Sequence, residues 1–569
     1  MKRFIFIAIA LAACINSHAQ DAIAPDPIEI VFNGNSATVT IPESITDVTA
    51  NISGADVMIS SATTDTEYTY RVSGESDTGS LMINGEYKLI VQLAGVTLTN
   101  PYGGAVIDIE CGKRTDLVLV EGTINTLMDS EFGGQKAALY FKGHADFKGG
   151  GTLNITGKVG HAISAKEEIE FKSSLGTINV LGAAKDGIHC GRGKINTPEH
   201  NYFQMDGGTV NITNVGSDGI DADDYGNVII NGGALSVNVG KVKSDGVKAD
   251  NDLEINGGNI NINISGADSD GMSANNKITI NDGNINITVT GDGSKGIKAK
   301  QETEDATVLN GGYLDVNGGK IDIYVTGNSY LKEDGTTSKC IDISVDADMT
   351  QTGGDIHLVA MGPEAKAYNV KGDYSKTGGT MTIKQGPWMI DPYDYDFDMT
   401  CYIRVYRNGH PLTDYSNIAI GAFIGTECMG LAEFDNTNYG YIRVYYDCTD
   451  NDPIYFKLYD QKSGQEYDLT SDREILFDSQ GLEGMPSQPI RLDYEVAFIR
   501  GDVNMDGFID VSDITAISYH IFGTTPEIFN YDAADVNEDG YIDVSDITAI
   551  SYMIFAQNAK SRVNNLDPQ

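Results

Sequence analysis

Ser217-Asp218-Gly219-Ile220-Asp221-Ala222, Ser244-Asp245-Gly246-Val247-Lys248-Ala249, Ser269-Asp270-Gly271-Met272-Ser273-Ala274 and Ser294-Lys295-Gly296-Ile297-Lys298-Ala299 are four copies of one phrase. Their glycines, Gly219, Gly246, Gly271 and Gly296, recur at a nearly constant interval. Between them runs a second phrase, Ile230-Asn231-Gly232-Gly233, Ile255-Asn256-Gly257-Gly258 and Ile280-Asn281-Asp282-Gly283, each followed by alternation such as Ile260-Asn261-Ile262-Asn263-Ile264. A fixed period with short alternating runs predicts a β-solenoid, whereas a propeller blade needs four strands in roughly 40 residues. Alternation sends Ile, Val and Leu into the coil and leaves Asn, Asp, Lys and Thr outside. The glycine corners supply the positive φ of tight turns, and asparagines stacked from coil to coil hydrogen-bond along the axis. The reading is a right-handed parallel β-helix.

Weaker copies extend the pattern at Val106-Ile107-Asp108-Ile109, Ala138-Leu139-Tyr140-Phe141, Ala162-Ile163-Ser164-Ala165 and Gly187-Ile188-His189-Cys190. After Lys300 an insertion lengthens the interval between Gly296 and the next copy, Cys340-Ile341-Asp342-Ile343, and Ala367-Tyr368-Asn369-Val370 continues the pattern. The alternating segment before about residue 98 is expected to cap the open end and form the first coils, because an uncovered solenoid end exposes its apolar cross-section and its edges.

Stacking places equivalent residues about 4.8 Å apart on successive coils. Asp186, Asp218, Asp245 and Asp270 then form one outward row, and His189, Asp221, Lys248, Ser273, Lys298 and Asp342 a second. Asp223, Asp250, Asn275 and Lys300 form a third. Carboxylates at that distance repel by ~0.9 kcal/mol even at the dielectric of water. A bound Ca²⁺ among Asp218, Asp221, Asp223, Asp245 and Asp250 would neutralise them; solvated turn aspartates are the plainer alternative. A lyase reading needs Ca²⁺ and an Arg or Lys base, for which Lys248, Lys298 and Lys300 are the candidates. Apart from Arg192, arginine is scarce in the repeat, and lysine beside carboxylates is a poor base, so no catalytic residue is assigned.

The chain of 569 residues carries a formal net charge of −42, which excludes nucleic acid and anionic membranes as favoured partners. Lys2 and Arg3 precede an apolar run over residues 4–13, the form of an export signal over residues 1–19. Ser17-His18-Ala19 suits cleavage and release, while Leu11-Ala12-Ala13-Cys14 resembles a bacterial lipobox that leaves Cys14 lipidated; both routes lead out of the cytoplasm. No later run is long enough to span a bilayer. The remaining six cysteines lack CxxC spacing: Cys190 and Cys340 fall on small inward positions as buried thiols, and a disulfide within Cys401, Cys428 and Cys448 is open.

Gly386-Pro387 marks a boundary. Beyond it, runs such as Tyr402-Ile403-Arg404-Val405-Tyr406 and Tyr441-Ile442-Arg443-Val444-Tyr445 at even spacing predict a β-sandwich over residues 387–497, a spacer or accessory domain. The sharpest motif follows. Asp502, Asn504, Asp506, Phe508, Asp510 and Asp513 recur, at the same spacing, as Asp535, Asn537, Asp539, Tyr541, Asp543 and Asp546. Oxygens at positions 1, 3, 5, 7 (the carbonyls of Phe508 and Tyr541), 9 and 12, with Gly507 and Gly540 at position 6, describe a twelve-residue Ca²⁺ loop. Each loop leads into a helix, and none precedes it as an EF-hand would require.

Two resemblances attach to these residues. With Tyr70-Arg71-Val72-Ser73-Gly74, Leu93-Ala94-Gly95-Val96-Thr97-Leu98-Thr99-Asn100, Glu121-Gly122-Thr123-Ile124-Asn125-Thr126-Leu127 and the Asp-Gly-Ile phrases, the chain resembles the secreted bacterial β-helix carbohydrate-binding family, which is similar in fold to pectate lyases. That resemblance implies Ca²⁺-assisted binding of plant cell-wall polysaccharide, cellulose or pectin, without established catalysis. The paired loop-helix units are similar to type I dockerins, which implies docking onto a cohesin module of a scaffold protein. Ser512, Ser518 and Tyr519 with Ser545, Ser551 and Tyr552 are the implied docking residues, in two rotated poses. Ser518-Tyr519 and Ser551-Tyr552 depart from the Lys-Arg often found there, which leaves the particular cohesin open.

The chain thus reads as mainly β: signal 1–19, β-helix 20–386, sandwich 387–497, dockerin-like α-helical calcium module 498–557 and tail 558–569. A secreted or outer-surface, non-catalytic polysaccharide-binding protein leads; a pectate-lyase-like enzyme and an adhesin-like stalk remain alternatives.

Overall fold

Strict alternation of Ile with Asn can bury one face of a strand only if every repeat stops at the same place as the last. The computed structural model describes residues 26–191, 201–301, 303–304, 307–308, 311–361, 365–385, 387–392, 395–413, 415, 418–434, 439–447, 451–460, 465–496, 498–505, 508–526 and 529–564. The export signal with both cleavage sites and Cys14, and also Arg192, Cys448, Asp506 and Gly507, lie outside them.

The chain divides into two units, residues 1–358 with 367–380 and residues 359–366 with 381–569. In the first, three short strands make one repeat, for example Val247–Ala249, Asp252–Ile255 and Asn259–Ile264. Each pairs in parallel with its counterpart one repeat on, through Val247↔Met272, Leu253↔Ile278 and Ile260↔Ile285. Val247, Ala249, Leu253, Ile255, Ile260, Ile262 and Ile264 are all buried. Phe147, Phe171 and Phe203 stack edge to face through three further repeats, with ring centroids 5.0 and 5.2 Å apart.

Outside this core the corner asparagines bond from repeat to repeat. Asn231 accepts from the Asn256 amide at 2.9 Å, Asn256 from Asn281 at 2.7 Å, and Asn281 from Asn317 at 2.9 Å. Gly233, Gly258 and Gly283 next to these asparagines hold φ of 90°, 93° and 116°, the left-handed region that the Asn-Gly-Gly corner calls for.

Two hairpins begin the first unit. Ile28–Asn33 with Ser36–Thr40 and Val48–Ser53 with Asp56–Ser61 are antiparallel pairs, and each then pairs in parallel with the following strand of its ladder. The insertion after Lys300 contains two small hairpins, Thr303–Glu304 with Thr307–Val308 and Tyr330–Leu331 with Thr337–Ser338. It also changes the expected register. Lys298 pairs with Ser344, not Asp342, because the pattern resumes later than the Cys340 alignment implied; Asp342 lies opposite Gly296.

The expected sandwich is a closed β-barrel. Phe397–Arg407 pairs antiparallel with Gly440–Tyr446 on one edge and parallel with Ile490–Tyr494 on the other. The circuit runs on through Glu427–Phe434, Ile418–Ile424, Ile454–Asp460 and Gln465–Ser471 back to Ile490–Tyr494. Cys401, Ile403, Val405, Ile442, Val444, Phe456, Leu458, Ile490 and Leu492 fill its interior. Cys401 and Cys428 are free thiols, so they do not form a disulfide with each other. Tyr402 and Tyr441 are a cross-strand pair.

The C-terminal helices are α1 (Val511–Ile521), α2 (Tyr531–Ala534) and α3 (Val544–Asn564). Val503, Ile517, Ala534, Val536 and Ile550 form their core, with Ile509 and Ile542 of the two loops packed against it. The short α2, capped by the Asn530 side chain, ends immediately before Asp535, so a helical turn does precede the second loop, contrary to the expected loop-helix pair.

A β-carbon at Gly246 would stand 2.5 Å from the Gly271 carbonyl oxygen and 2.6 Å from Ile262 Cγ2, both fixed parts of the wall. Gly246→Ala therefore costs about 1–3 kcal/mol in a urea titration. Gly112→Ala, where an added β-carbon meets nothing within 4 Å, leaves the midpoint unchanged.

Candidate functional site

The Asp-Gly phrase puts an aspartate at the start of a strand on each repeat, and register aligns them. Asp186, Asp218, Asp245 and Asp270 form a column in which each carboxylate accepts the backbone N–H of the next: Asp218 to Asp186 at 3.1 Å, Asp245 to Asp218 at 2.6 Å and Asp270 to Asp245 at 2.8 Å. The column is not an outward, solvated row. Asp186, Asp218 and Asp270 are 5, 8 and 7% exposed, because the backbone bonds along the column hold them against the neighbouring repeats. Lys295 follows Asp270 in register, and His161 stands on the other side of Asp186, Nδ1 to Oδ2 2.9 Å.

The second column runs Ser164, His189, Asp221, Lys248, Ser273, Lys298 and Ser344. Lys248 bonds Asp221 at 3.0 Å and lies 3.5 Å from Asp250; Lys298 lies 3.5 Å from Asp270. In the third column the Asp224 N–H donates to Asp250 and to Asp223. Of the five carboxylates expected to hold a cation, the structure brings Asp218 and Asp221 together with Asp186, and Asp221 and Asp223 together with His189. Asp245 and Asp250 join no such group among the described residues; Asp245 instead accepts the Ser273 hydroxyl at 2.6 Å.

Two clusters were not anticipated. His161 and His189 stack at 4.3 Å, and both face the Asp186 carboxylate. On another ladder His144 bridges Asp146 at 2.7 Å and Glu168 at 2.9 Å, beside Lys172, Lys148, Asp116 and Arg114. Arg114 shows that Arg192 is not the lone arginine of the repeat. The missed signal was register: counting back from the Ile163–Ile188 pair sets His161 against Asp186.

In the C-terminal module the two loops are closed by the same bonds. Asp513, fully buried, accepts the N–H groups of Val503 at 2.7 Å, Asn504 at 3.1 Å and Asp510 at 2.9 Å. Asp546 does the same for Val536 at 2.8 Å, Asn537 at 3.3 Å and Asp543 at 2.9 Å. Asp510 and Asp543 accept from the N–H of Ser512 and Ser545, both at 2.7 Å, at the start of α1 and α3. Asp535 accepts the N–H of Asp539 and Gly540, closing its loop, and Tyr541 N–H donates to Asp539. Asp502 is buried and Phe508 exposed. Tyr519 and Tyr552 are exposed with Phe522 and Phe555, at matching positions of the two repeated helices. Ser518 and Ser551 donate their hydroxyls to the Ile514 and Ile547 carbonyls of their own helices.

Compared with known proteins, the sequence matches the carbohydrate-binding domain-containing protein family over residues 53–268 and 240–395. The chain belongs to that family. Residues 500–554 match the dockerin type I domain. No curated protein matches. A solved structure of the polysaccharide lyase-like protein from C. thermocellum, a gadolinium derivative, is similar at 17% identity over 63% of this chain and 98% of that chain; its TM-score of 0.25 carries no argument.

Within the family's segment, charge sorts the candidate bases. Burial lowers Lys248, but Asp221 and Asp250 overcome it and hold the ammonium above its usual value. Asp270 raises Lys298 against its burial. Both lysines stay charged near neutrality and are poor proton acceptors. Burial, then Asp245 and Asp221, push Asp218 up to about 8; burial and Asp270 push Asp245 up to about 6. Burial pulls His189 down, yet Asp186 and Asp221 hold it at about 9, while burial keeps His161 below its ordinary value.

A carboxyl raised in the folded state costs nothing below its unfolded pKa near 3.8 and its full penalty above the folded one, here about 8. In chelator the first unit therefore loses stability between about pH 4 and 8, on the order of a few kcal/mol from this residue. Asp218→Asn, which keeps the acceptor for Asp245, flattens that fall in thermal melts followed by circular dichroism.

Proposed function

We propose that this is a secreted, non-catalytic component that binds plant cell-wall polysaccharide through its repeat unit and docks to a cohesin-bearing scaffold through its C-terminal module. The observation that carries the reading is the presence of both parts in one chain, the carbohydrate-binding family over the repeat and the dockerin type I domain at residues 500–554. The domain boundaries at 386 and 497, and export by the signal at residues 1–19, with release after Ala19 or lipidation of Cys14, belong to the same reading.

The three parallel ladders wind, in this proposal, as a right-handed parallel β-helix. Their outer residues, among them the asparagine corners, offer a polar surface to an extended chain of sugars. An open cleft lined by Asn214, Asn238, Lys241, Asn263 and Ser265 presents amides and hydroxyls suited to sugar hydroxyls. Tyr102 and Phe132, 75 and 73% exposed, sit on abutting loops of successive repeats, where Gly103 faces the Phe132 carbonyl. Rings so placed suit stacking on sugar faces. Ca²⁺ neutralises the carboxylates of Asp218, Asp221 and Asp223, with Asp245 and Asp250 left to Ser273 and Lys248, and occupies the loops from Asp502 to Asp513 and Asp535 to Asp546 through the oxygens at positions 1, 3, 5, 7, 9 and 12.

Docking uses Ser512, Ser518 and Tyr519 or, turned about the internal repeat, Ser545, Ser551 and Tyr552. The charged state of Lys248 and Lys298 supports binding over elimination chemistry.

Retention of the full chain on insoluble cellulose and on pectin, in Ca²⁺ and then in chelator, tests the binding half. Retention is expected, weakened about tenfold by Tyr102→Ala with Phe132→Ala; no retention on any wall glycan overturns it. No absorbance from unsaturated uronates should appear on incubation with pectin. On immobilised cohesins, Tyr519→Ala or Tyr552→Ala alone should be tolerated, whereas the double variant loses binding.

A further inference from the structure

The stacked imidazoles of His161 and His189 stand outside both halves of that reading. We propose that His161, His189 and Asp186 form a binding site for a borderline divalent metal ion, with Zn²⁺ the best fit. The site is distinct from the acidic loops of the C-terminal module.

The three ligand atoms lie within 4.8 Å of one another. Nδ1 of His161 is 2.9 Å from Asp186 Oδ2, and Nδ1 of His189 is 3.3 Å from the same oxygen. Bonds of 2.0–2.1 Å in a tetrahedron put neighbouring ligand atoms about 3.3–3.4 Å apart, so these separations are close to those of a tetrahedron's edges. Three protein ligands leave the fourth position to water.

Burial supplies the second observation. His189 is 6% exposed, and its Nδ1, like that of His161, has no hydrogen-bond partner of good geometry despite facing a carboxylate. Two ring nitrogens that face one buried carboxylate oxygen form an ion-paired cluster whose imidazolium proton a cation can replace, the rings turning about their side-chain bonds to meet it. The scaffold is stiff: His161 and His189 lie on the parallel-paired strands His161–Ala165 and Ile188–Cys190. The Asp218 N–H holds Asp186 Oδ1 at 3.1 Å and so aims Oδ2 toward the rings, the outer-shell bond that orients a metal-ligating carboxylate. Asp221 Oδ2, 3.5 Å from His189 Nδ1, adds a second negative charge, so two carboxylates balance a dication.

Ligand type separates this site from Ca²⁺, a hard cation that takes six to eight oxygens, whereas imidazole suits zinc and its neighbours. Bridging adjacent repeats, the ion would fasten the column at the end opposite Lys295.

The test uses the full chain, stripped with chelator and returned to excess Ca²⁺ so that oxygen sites are filled. Calorimetric titration with Zn²⁺ should show one tight equivalent, weakened at least tenfold in His161→Ala, whose imidazole is no Ca²⁺ ligand, with circular dichroism and Ca²⁺ binding unchanged. Titration with Co²⁺ gives a reading that needs no variant: visible bands of tetrahedral intensity are expected from the native chain. Zinc isotherms identical in native and variant proteins, or cobalt spectra showing only weak octahedral absorption, overturn the proposal.

Discussion

Parallel backbone pairing between residues one repeat apart is the constraint on which the first unit rests. Because Val247 must meet Met272 and Ile260 must meet Ile285, every side chain between them is committed to a column. The apolar columns are the core, and the asparagine columns at the corners satisfy their amides on one another. A single residue gained or lost within a strand would move each inward Ile beyond it to the outside. That is why a long insertion is confined to small hairpins which leave the ladders and rejoin them.

The same constraint concentrates charge. Aspartates that would be harmless on a loop are brought within one strand spacing, and burial makes their mutual repulsion matter. The molecule moderates it in three ways: by giving Asp186, Asp218 and Asp245 the next backbone N–H, by setting Lys248 and Lys298 beside acidic neighbours, and by ending the column with His161 on one side and Lys295 on the other. What remains, a carboxyl such as Asp218 that resists ionisation, is the free energy on which a cation or a proton can draw.

Much of this was legible in residue order, because the Asp-Gly-Ile phrase recurs at nearly constant length and the second acidic loop copies the first. The errors have specific sources. Asp342 was placed in the lysine column because the insertion hides the count of residues, and only backbone pairing shows that Ser344 belongs there. Even spacing of strands says nothing about whether the last one returns to the first, so a barrel read as a sandwich. The histidine cluster escapes the sequence because His161, from a degenerate early repeat, does not resemble the aspartates of the row it extends, although Asp186 and His189 each fall in their rows. Asp186 looked solvated in a sequence so rich in acid; only the bond from Asp218 shows it drawn inward.

Closure of the barrel has a consequence for how this domain meets other sheets. Phe397–Arg407 is bonded along both of its sides, so the strand that closes the circuit offers no bare margin onto which a foreign chain could zip. Along that strand the domain is protected from edge-to-edge pairing with other sheet-rich modules. It suits a position in the chain between two parts that must each remain free to bind.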